Sequence, residues 1–143
     1  MLLACDGPTD RNGKEYNFWK GFVLDHSASL VVNLCGDVGS SRNWYSECSL
    51  YWPMNENIPK IFTTFESDDK IKVTLLKTTE INEVLKSYTL NVQNISAQET
   101  VIKEAQVDLV HFSGWPDCEV PTEEEEVSGF AEVVKILFNH FVF

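Results

Sequence analysis

Residues 111–121 read His-Phe-Ser-Gly-Trp-Pro-Asp-Cys-Glu-Val-Pro, which sets one carboxylate, Asp117, between Pro116 and Pro121 and close to Trp115. An acid held in a turn beside a large aromatic has the makings of a proton donor to a departing oxygen. Pro116 fixes its own φ and pushes Trp115 into an extended conformation, and Pro121 does the same to Val120. Gly114 supplies a pivot on the other side. Stiff ends and a glycine pivot suit a segment that swings as a body, as active-site lids do, and would bring its acid to a bound substrate. A plainer reading is that Asp117 caps a turn, a position aspartate favours. The residue types alone leave both readings open.

Other chemistries find less support. Cys5, Cys35, Cys48 and Cys118 are widely separated, with no paired spacing and no ligand-type spacing to His26, His111 or His140. Neither a zinc site nor a bound cofactor is expected. Four cysteines without a secretory leader point to thiols in a reducing compartment rather than disulfides. The net charge of −11, from 22 acids against 11 bases of which only Arg11 and Arg42 are arginine, argues against nucleic acid or an anionic membrane as partner. No apolar tract is long enough to span a bilayer, and the opening Met1–Asp10 is no signal peptide. A cytoplasmic location follows as the expectation. The single sequon, Asn94-Ile95-Ser96, matters only in a secreted chain.

The elements that must position Asp117 are legible as periodicities. Phe18, Trp19, Phe22 and Val23 fall at helical spacing within residues 15–26, after a turn at Asp10 and Asn12-Gly13. Ser29–Cys35 is a short β-branched run that reads as a strand buried on both faces. A loop follows from Gly36 to Asn43, and Tyr51-Trp52-Pro53 should end a further strand-like segment. Ile71, Val73 and Leu75 alternate with Lys72 and Thr74, and Tyr88, Leu90 and Val92 alternate again. These predict an antiparallel pair, each strand with one wet face. In residues 105–113, Val107 and Leu109 should face one way, Val110 and Phe112 the other.

Thr122 and Glu125 form a capping-box pattern ahead of a helix whose predicted apolar face is Val127, Phe130, Ala131, Val134, Leu137, Phe138 and Phe141. The acidic run Glu123–Glu126 suits the helix N-terminus. The expected fold is α/β with α+β character: a mixed twisted sheet flanked by helices, in one domain over residues 1–143.

With these elements in place, Trp115-Pro116-Asp117-Cys118-Glu119-Val120-Pro121 resembles the Trp-Pro-Asp loop of the cysteine-dependent, tyrosine-specific protein tyrosine phosphatases. Four more segments resemble family elements in the family's order. They are Ala4-Cys5-Asp6-Gly7-Pro8 with Asn17-Phe18-Trp19-Lys20, Ser29–Cys35, Glu47-Cys48-Ser49-Leu50-Tyr51-Trp52-Pro53, and Leu85–Val92. The resemblance runs over essentially the whole chain. It implies that Asp117 is the general acid that protonates the departing tyrosine oxygen and later the base that activates water. It implies that Trp115 and Pro116 anchor the loop. The implied partners are phosphotyrosine proteins or other proteins, and the implied setting is cytoplasmic, including the cytoplasmic part of a receptor-type protein.

The same resemblance shows what the 143 residues do not contain. The family's nucleophile is a cysteine thiolate in a His-Cys-x-x-Gly-x-x-Arg loop, where backbone N–H groups and an arginine hold the phosphate. None of the four cysteines follows a histidine, as the motif requires. The tyrosine-recognition segment expected upstream of Ala4 is missing as well. Asp6, Glu47, Lys86 and Glu119 stand where the family has glutamine, lysine, arginine and glycine. The expectation is a partial tyrosine-phosphatase-like domain without activity as given. The alternatives are a pseudophosphatase-type interaction module, or part of an active phosphatase whose remaining segments lie outside this chain. In the absence of the nucleophile strand beside Ser29–Cys35, a strand edge should stand unpaired, with low stability in isolation.

Overall fold

The computed structural model describes residues 7–9, 13–36, 48–115, 120 and 122–141. Its centre is a five-stranded mixed sheet with helices, made of β1 (Leu30–Asn33), β2 (Lys60–Thr64), β3 (Ser67–Asn82), β4 (Leu85–Ile95) and β5 (Val101–Phe112). The spatial order is β1-β5-β4-β3-β2, with β1 parallel to β5 and the other neighbours antiparallel. The predicted antiparallel pair is β3 with β4, in a register that sets Val73 opposite Val92 and Leu75 opposite Leu90.

Helix α1 (Lys14–Phe18) starts after Gly13, whose φ of 69° is left-handed and free of Cβ strain only in glycine. It continues as a π-helical stretch, Trp19–Asp25, closed by the His26 amide donating to the Gly21 carbonyl at 3.0 Å. The helix predicted over 15–26 is therefore present, with its second half widened. The wider turn sets Trp19, Val23 and Leu24 together on the buried side. They pack on the sheet face formed by Ile71, Val73, Leu75, Tyr88, Leu90, Val92, Val107 and Leu109.

Among the described residues, the opposite face is covered near the ends of β1 and β5. There Leu85, Val110 and Phe112 meet Phe130, Val133, Ile136 and Leu137 of α2 (Glu124–Phe141). The expected split of β5 is present: Val107 and Leu109 enter one core, Val110 and Phe112 the other. Beyond the reach of α2 the second face is wet. It carries cross-strand polar pairs such as Thr89 donating to Asp108 at 2.9 Å and Gln93 to Glu104 at 3.1 Å.

Four expectations need correction. The run Ser29–Cys35 is not buried on both faces: Leu30, Val31 and Val32 are half-buried, and among the described residues β1 pairs with β5 alone. Tyr51-Trp52-Pro53 belongs to no strand. The segment is held by burial of Tyr51 and Trp52, and by Ser49, whose amide and hydroxyl both donate to the Pro8 carbonyl (2.9 and 3.0 Å). In α2 the buried stripe is Phe130, Val133, Ile136 and Leu137, rotated from the predicted one, so Val127, Val134 and Phe138 are exposed. The N-terminal box is displaced too: Glu126, not Glu125, reaches back to the amides of Thr122 and Glu123 (3.3 and 3.4 Å). Asp10, Asn12, the loop after Gly36 and the Phe141 side chain lie outside what is described.

Candidate active-site loop

β1 and β5 run parallel, with Asn33 opposite His111, so the segments leaving both strands emerge at the same end of the sheet. In open sheets with parallel pairs, the loops at the carboxyl ends of the strands are where ligands are met. One loop here is Leu34-Cys35-Gly36 and the other is Ser113-Gly114-Trp115, which leads into Pro116 and Asp117.

His111 joins the two. Its Nε2 lies 2.7 Å from the Cys35 carbonyl oxygen, an acceptor, so the ring nitrogen donates and the imidazole carries its hydrogen there. The ring stands edge-on to Trp52 with centroids 5.3 Å apart. Burial pushes the His111 pKa below its ordinary value, and nearby Lys86 pushes the same way, against the opposing pull of the Cys35 carbonyl. Lys86, opposite His111 in the ladder, also pairs with Glu80 at 3.6 Å.

A depressed histidine pKa means the folded state refuses a proton that the unfolded chain accepts. The stabilisation is complete above the ordinary value of 6.5 and is lost as pH falls below it toward the folded pKa. His111→Gln keeps an N–H donor without the titration. Urea unfolding at about pH 7.5 and about pH 5 should show wild type losing more stability than the variant on acidification. Equal losses would contradict the assignment.

Asn33 is the second organiser. Buried at the end of β1, it accepts from the Cys35 amide at 2.8 Å and donates to the Tyr51 hydroxyl at 3.0 Å and to Cys48 Sγ at 3.4 Å. The strand end, the Cys35 turn and the Cys48–Trp52 segment therefore share one amide. The sequence signal for this role is a single polar residue inside the apolar run Leu30–Leu34.

Of the predicted site residues, Trp115 is placed and the other two are not. Trp115 is half-buried, with its ring edge-on to Phe130 of α2 at 5.4 Å and 72°. The backbone before it presses on the β1 loop: a Cβ at Gly36 would lie 3.2 Å from the Trp115 carbonyl oxygen and 3.4 Å from that of Ser113. Gly114, expected as a pivot, is buried. A Cβ there would lie 3.0 Å from the Phe112 ring and 3.3 Å from Val84, so any larger residue would press on both side chains. Pro116 and Asp117 lie outside the described residues, as do Cys118, Arg11 and Arg42.

Among the described residues no group of His, Cys, Asp and Glu could hold a metal ion, and no helix is long and apolar enough to cross a membrane. The Cys48 thiol is pushed far up in pKa, first by its hydrogen bond with the Cys35 thiol and then by burial, against the opposing Asn33 amide. A thiol held protonated in this way is no ready nucleophile.

Comparison with known proteins gives a consistent picture. A family model described as protein-tyrosine phosphatase matches residues 1–139. The structure of PTPN18 in complex with HER2-pY1248 phospho-peptides aligns at TM-score 0.63 and 23% identity, covering 94% of this chain and 43% of that one. The crystal structure of the catalytic domain of human protein tyrosine phosphatase non-receptor type 18 aligns at TM-score 0.63 and 23% identity, covering 91% and 40% respectively. At this identity the likeness is one of fold. The chain spans about two-fifths of the length of these solved structures.

Proposed function

This chain belongs to the protein-tyrosine phosphatase family, and from that membership we propose that it is a partial catalytic domain that keeps the general-acid loop and lacks the phosphate-binding nucleophile loop. Asp117 is the proton donor of that loop, with Trp115 and Pro116 as its anchors. The family reaction is hydrolysis of protein phosphotyrosine through a cysteinyl-phosphate intermediate. In its first step Asp117 gives its proton to the departing phenolic oxygen, and in its second it takes a proton from the attacking water.

The observation that carries this reading is local. The Trp115 ring is seated on Phe130, and the Ser113–Trp115 backbone is packed on Gly36 at the carboxyl ends of a parallel strand pair. An acid two residues beyond Trp115 then starts from a fixed root. Chemistry also requires a thiolate and an arginine on the phosphate, and no cysteine in the 143 residues has the sequence context of one. The chain as given is therefore a tyrosine-phosphatase-like domain without turnover, and hydrolysis of an aryl phosphate is the assay that tests it. The ligand class that goes with the family is a phosphotyrosine protein; without the anion cradle, a pull-down should recover phosphorylated and unphosphorylated peptides alike.

A second reading has an observation of its own. Among the described residues the outer side of β1 has no strand partner, and Val127, Val134 and Phe138 of α2 are exposed. Both surfaces suit further segments of a longer phosphatase domain, encoded beyond Phe143. An in-frame His-Cys-x-x-Gly-x-x-Arg motif in the downstream transcript supports that reading, and an immediate stop codon opposes it.

A further inference from the structure

β1 ends the sheet, and among the described residues its outer side has no strand partner. The Ser29 carbonyl accepts from the Asp108 amide at 3.0 Å, so in this parallel ladder Ser29, Val31 and Asn33 bond inward to β5. The N–H and C=O groups of Leu30 and Val32 therefore point outward, while their side chains pack toward α2. An open edge of this kind is a template for another strand.

α2 adds apolar surface on the same side. Its Gly129 lies toward β4, because a Cβ there would fall 2.7 Å from Val84. At about 100° per residue, Val127, Val134 and Phe138 stand on the far side of the helix from Gly129, above the β1 edge. They are 49%, 49% and 64% exposed. His140 Nε2 lies 3.0 Å from Ser29 Oγ, which draws the end of the helix over the start of β1. Edge and stripe thus form one continuous surface, an unpaired strand beneath an apolar shelf.

We propose that this surface joins two copies of the 143-residue chain into a two-fold symmetric dimer. Antiparallel pairing of β1 with itself about Val31 lets Leu30 exchange both backbone bonds with Val32 of the second copy, and the reverse. The axis is then normal to the sheet, so the two α2 helices lie on one face of a continuous sheet and run antiparallel. A helix seated over β1 and β5 stands about half to one strand spacing inside the edge. The two helix axes then fall roughly 10–14 Å apart, close to the distance at which helices pack. With rises of about 1.5 Å per helix residue and about 3.3 Å per strand residue, counted from Ser29 beside His140, the stretch near Val134 comes to the axis. Edge and stripe expose roughly 500 Å² of surface per copy, and flanking residues of α2 bring this toward the ~800 Å² per partner of a stable pair. The stripe itself is uncharged, so a partner recognised by charge has nothing to hold there. The inference rests on the partial-domain reading, since further segments of a longer domain would occupy the same surface.

The test is sedimentation equilibrium of the 143-residue chain and of its Val134→Glu variant, whose site is half-exposed and so leaves the fold intact. Expected for wild type is twice the 16.3 kDa of one chain. A carboxylate placed at the axis should raise the dissociation constant at least about tenfold. Ser128→Glu, on the polar side of α2, should keep the dimer. Amide exchange gives a readout that needs no variant: Leu30 and Val32 should exchange more slowly at high protein concentration than at low. A monomer at every concentration, open-ended aggregates, or a dimer that Val134→Glu leaves as tight would each overturn the proposal, as would exchange at Leu30 and Val32 that ignores concentration. Aryl phosphate hydrolysis is read separately. Turnover would sink the partial-domain reading, whereas a monomer without turnover would sink the dimer alone.

Discussion

Trp19→Ala is expected to cost about 3–5 kcal/mol of folding stability, enough to leave much of a marginal domain unfolded. Trp19 is fully buried where the π-helical stretch meets the sheet, with its ring 5.6 Å from Tyr51 and edge-on to Phe18 at 5.2 Å. Its indole N–H also donates to the Tyr51 carbonyl at 2.9 Å. Trp52, 1% exposed and packed on Tyr51, Tyr88 and His111, should cost as much on truncation to alanine.

The phenylalanine variants separate packing from hydrogen bonding. Trp52 Nε1 is buried and makes no hydrogen bond among the described residues, so Trp52→Phe gives up ring area alone. Trp19→Phe gives up ring area and the bond to Tyr51, a further loss of about 1 kcal/mol. Urea unfolding should therefore rank Trp19→Phe as the more damaging of the two. The reverse order would mean that the Trp19 bond does not support the fold.

The largest expected effect concerns catalysis, and it is an absence. A positioned general acid contributes roughly 10²–10⁴ in rate, but only to a reaction whose nucleophile is in place. Here the sequence holds no His-Cys-x-x-Gly-x-x-Arg loop, and Cys48, the buried thiol among the described residues, is held protonated. An acid acting on water alone does not form a cysteinyl-phosphate. Asp117→Ala is therefore expected to leave the rate of p-nitrophenyl phosphate hydrolysis unchanged, where in a complete enzyme the same substitution would be among the most damaging.

What could be read from the residues, and what could not, follows from the range of the forces involved. Alternation in Ile71–Leu75 and Tyr88–Val92 is a local pattern, and it predicts the antiparallel β3–β4 pair, while the register that sets Val73 opposite Val92 is seen only in the structure. The two-faced division of Val107, Leu109, Val110 and Phe112 is local as well, and the structure places the pairs in separate cores. The α2 face differs from the one its periodicity predicts because the helix is apolar over much of its circumference. Which side is buried depends on where Phe112 and Leu85 lie, a long-range matter. Tyr51-Trp52-Pro53 looks like a strand by composition, yet its aromatic rings are anchored by partners in α1, β4 and β5 rather than by a ladder.

The candidate site was legible in one respect and hidden in another. Trp115-Pro116-Asp117 is conspicuous in sequence, and the structure fixes Trp115 by contact with Phe130. The root of that loop is made by His111 and Asn33, whose bonds reach the Cys35 carbonyl and the Cys48–Tyr51 segment. No spacing rule connects residues 33, 48 and 111, so only the parallel pairing of β1 with β5 reveals them as neighbours.

The central claim is that this chain carries a phosphatase acid loop without a nucleophile to serve it. Steady-state hydrolysis of p-nitrophenyl phosphate by the purified 143-residue chain tests it most directly. The expected rate is that of buffer, and Asp117→Ala gives the same trace. Turnover clearly above buffer that disappears in Asp117→Ala would contradict the claim, because it would show that Asp117 is donating its proton to a reaction already under way.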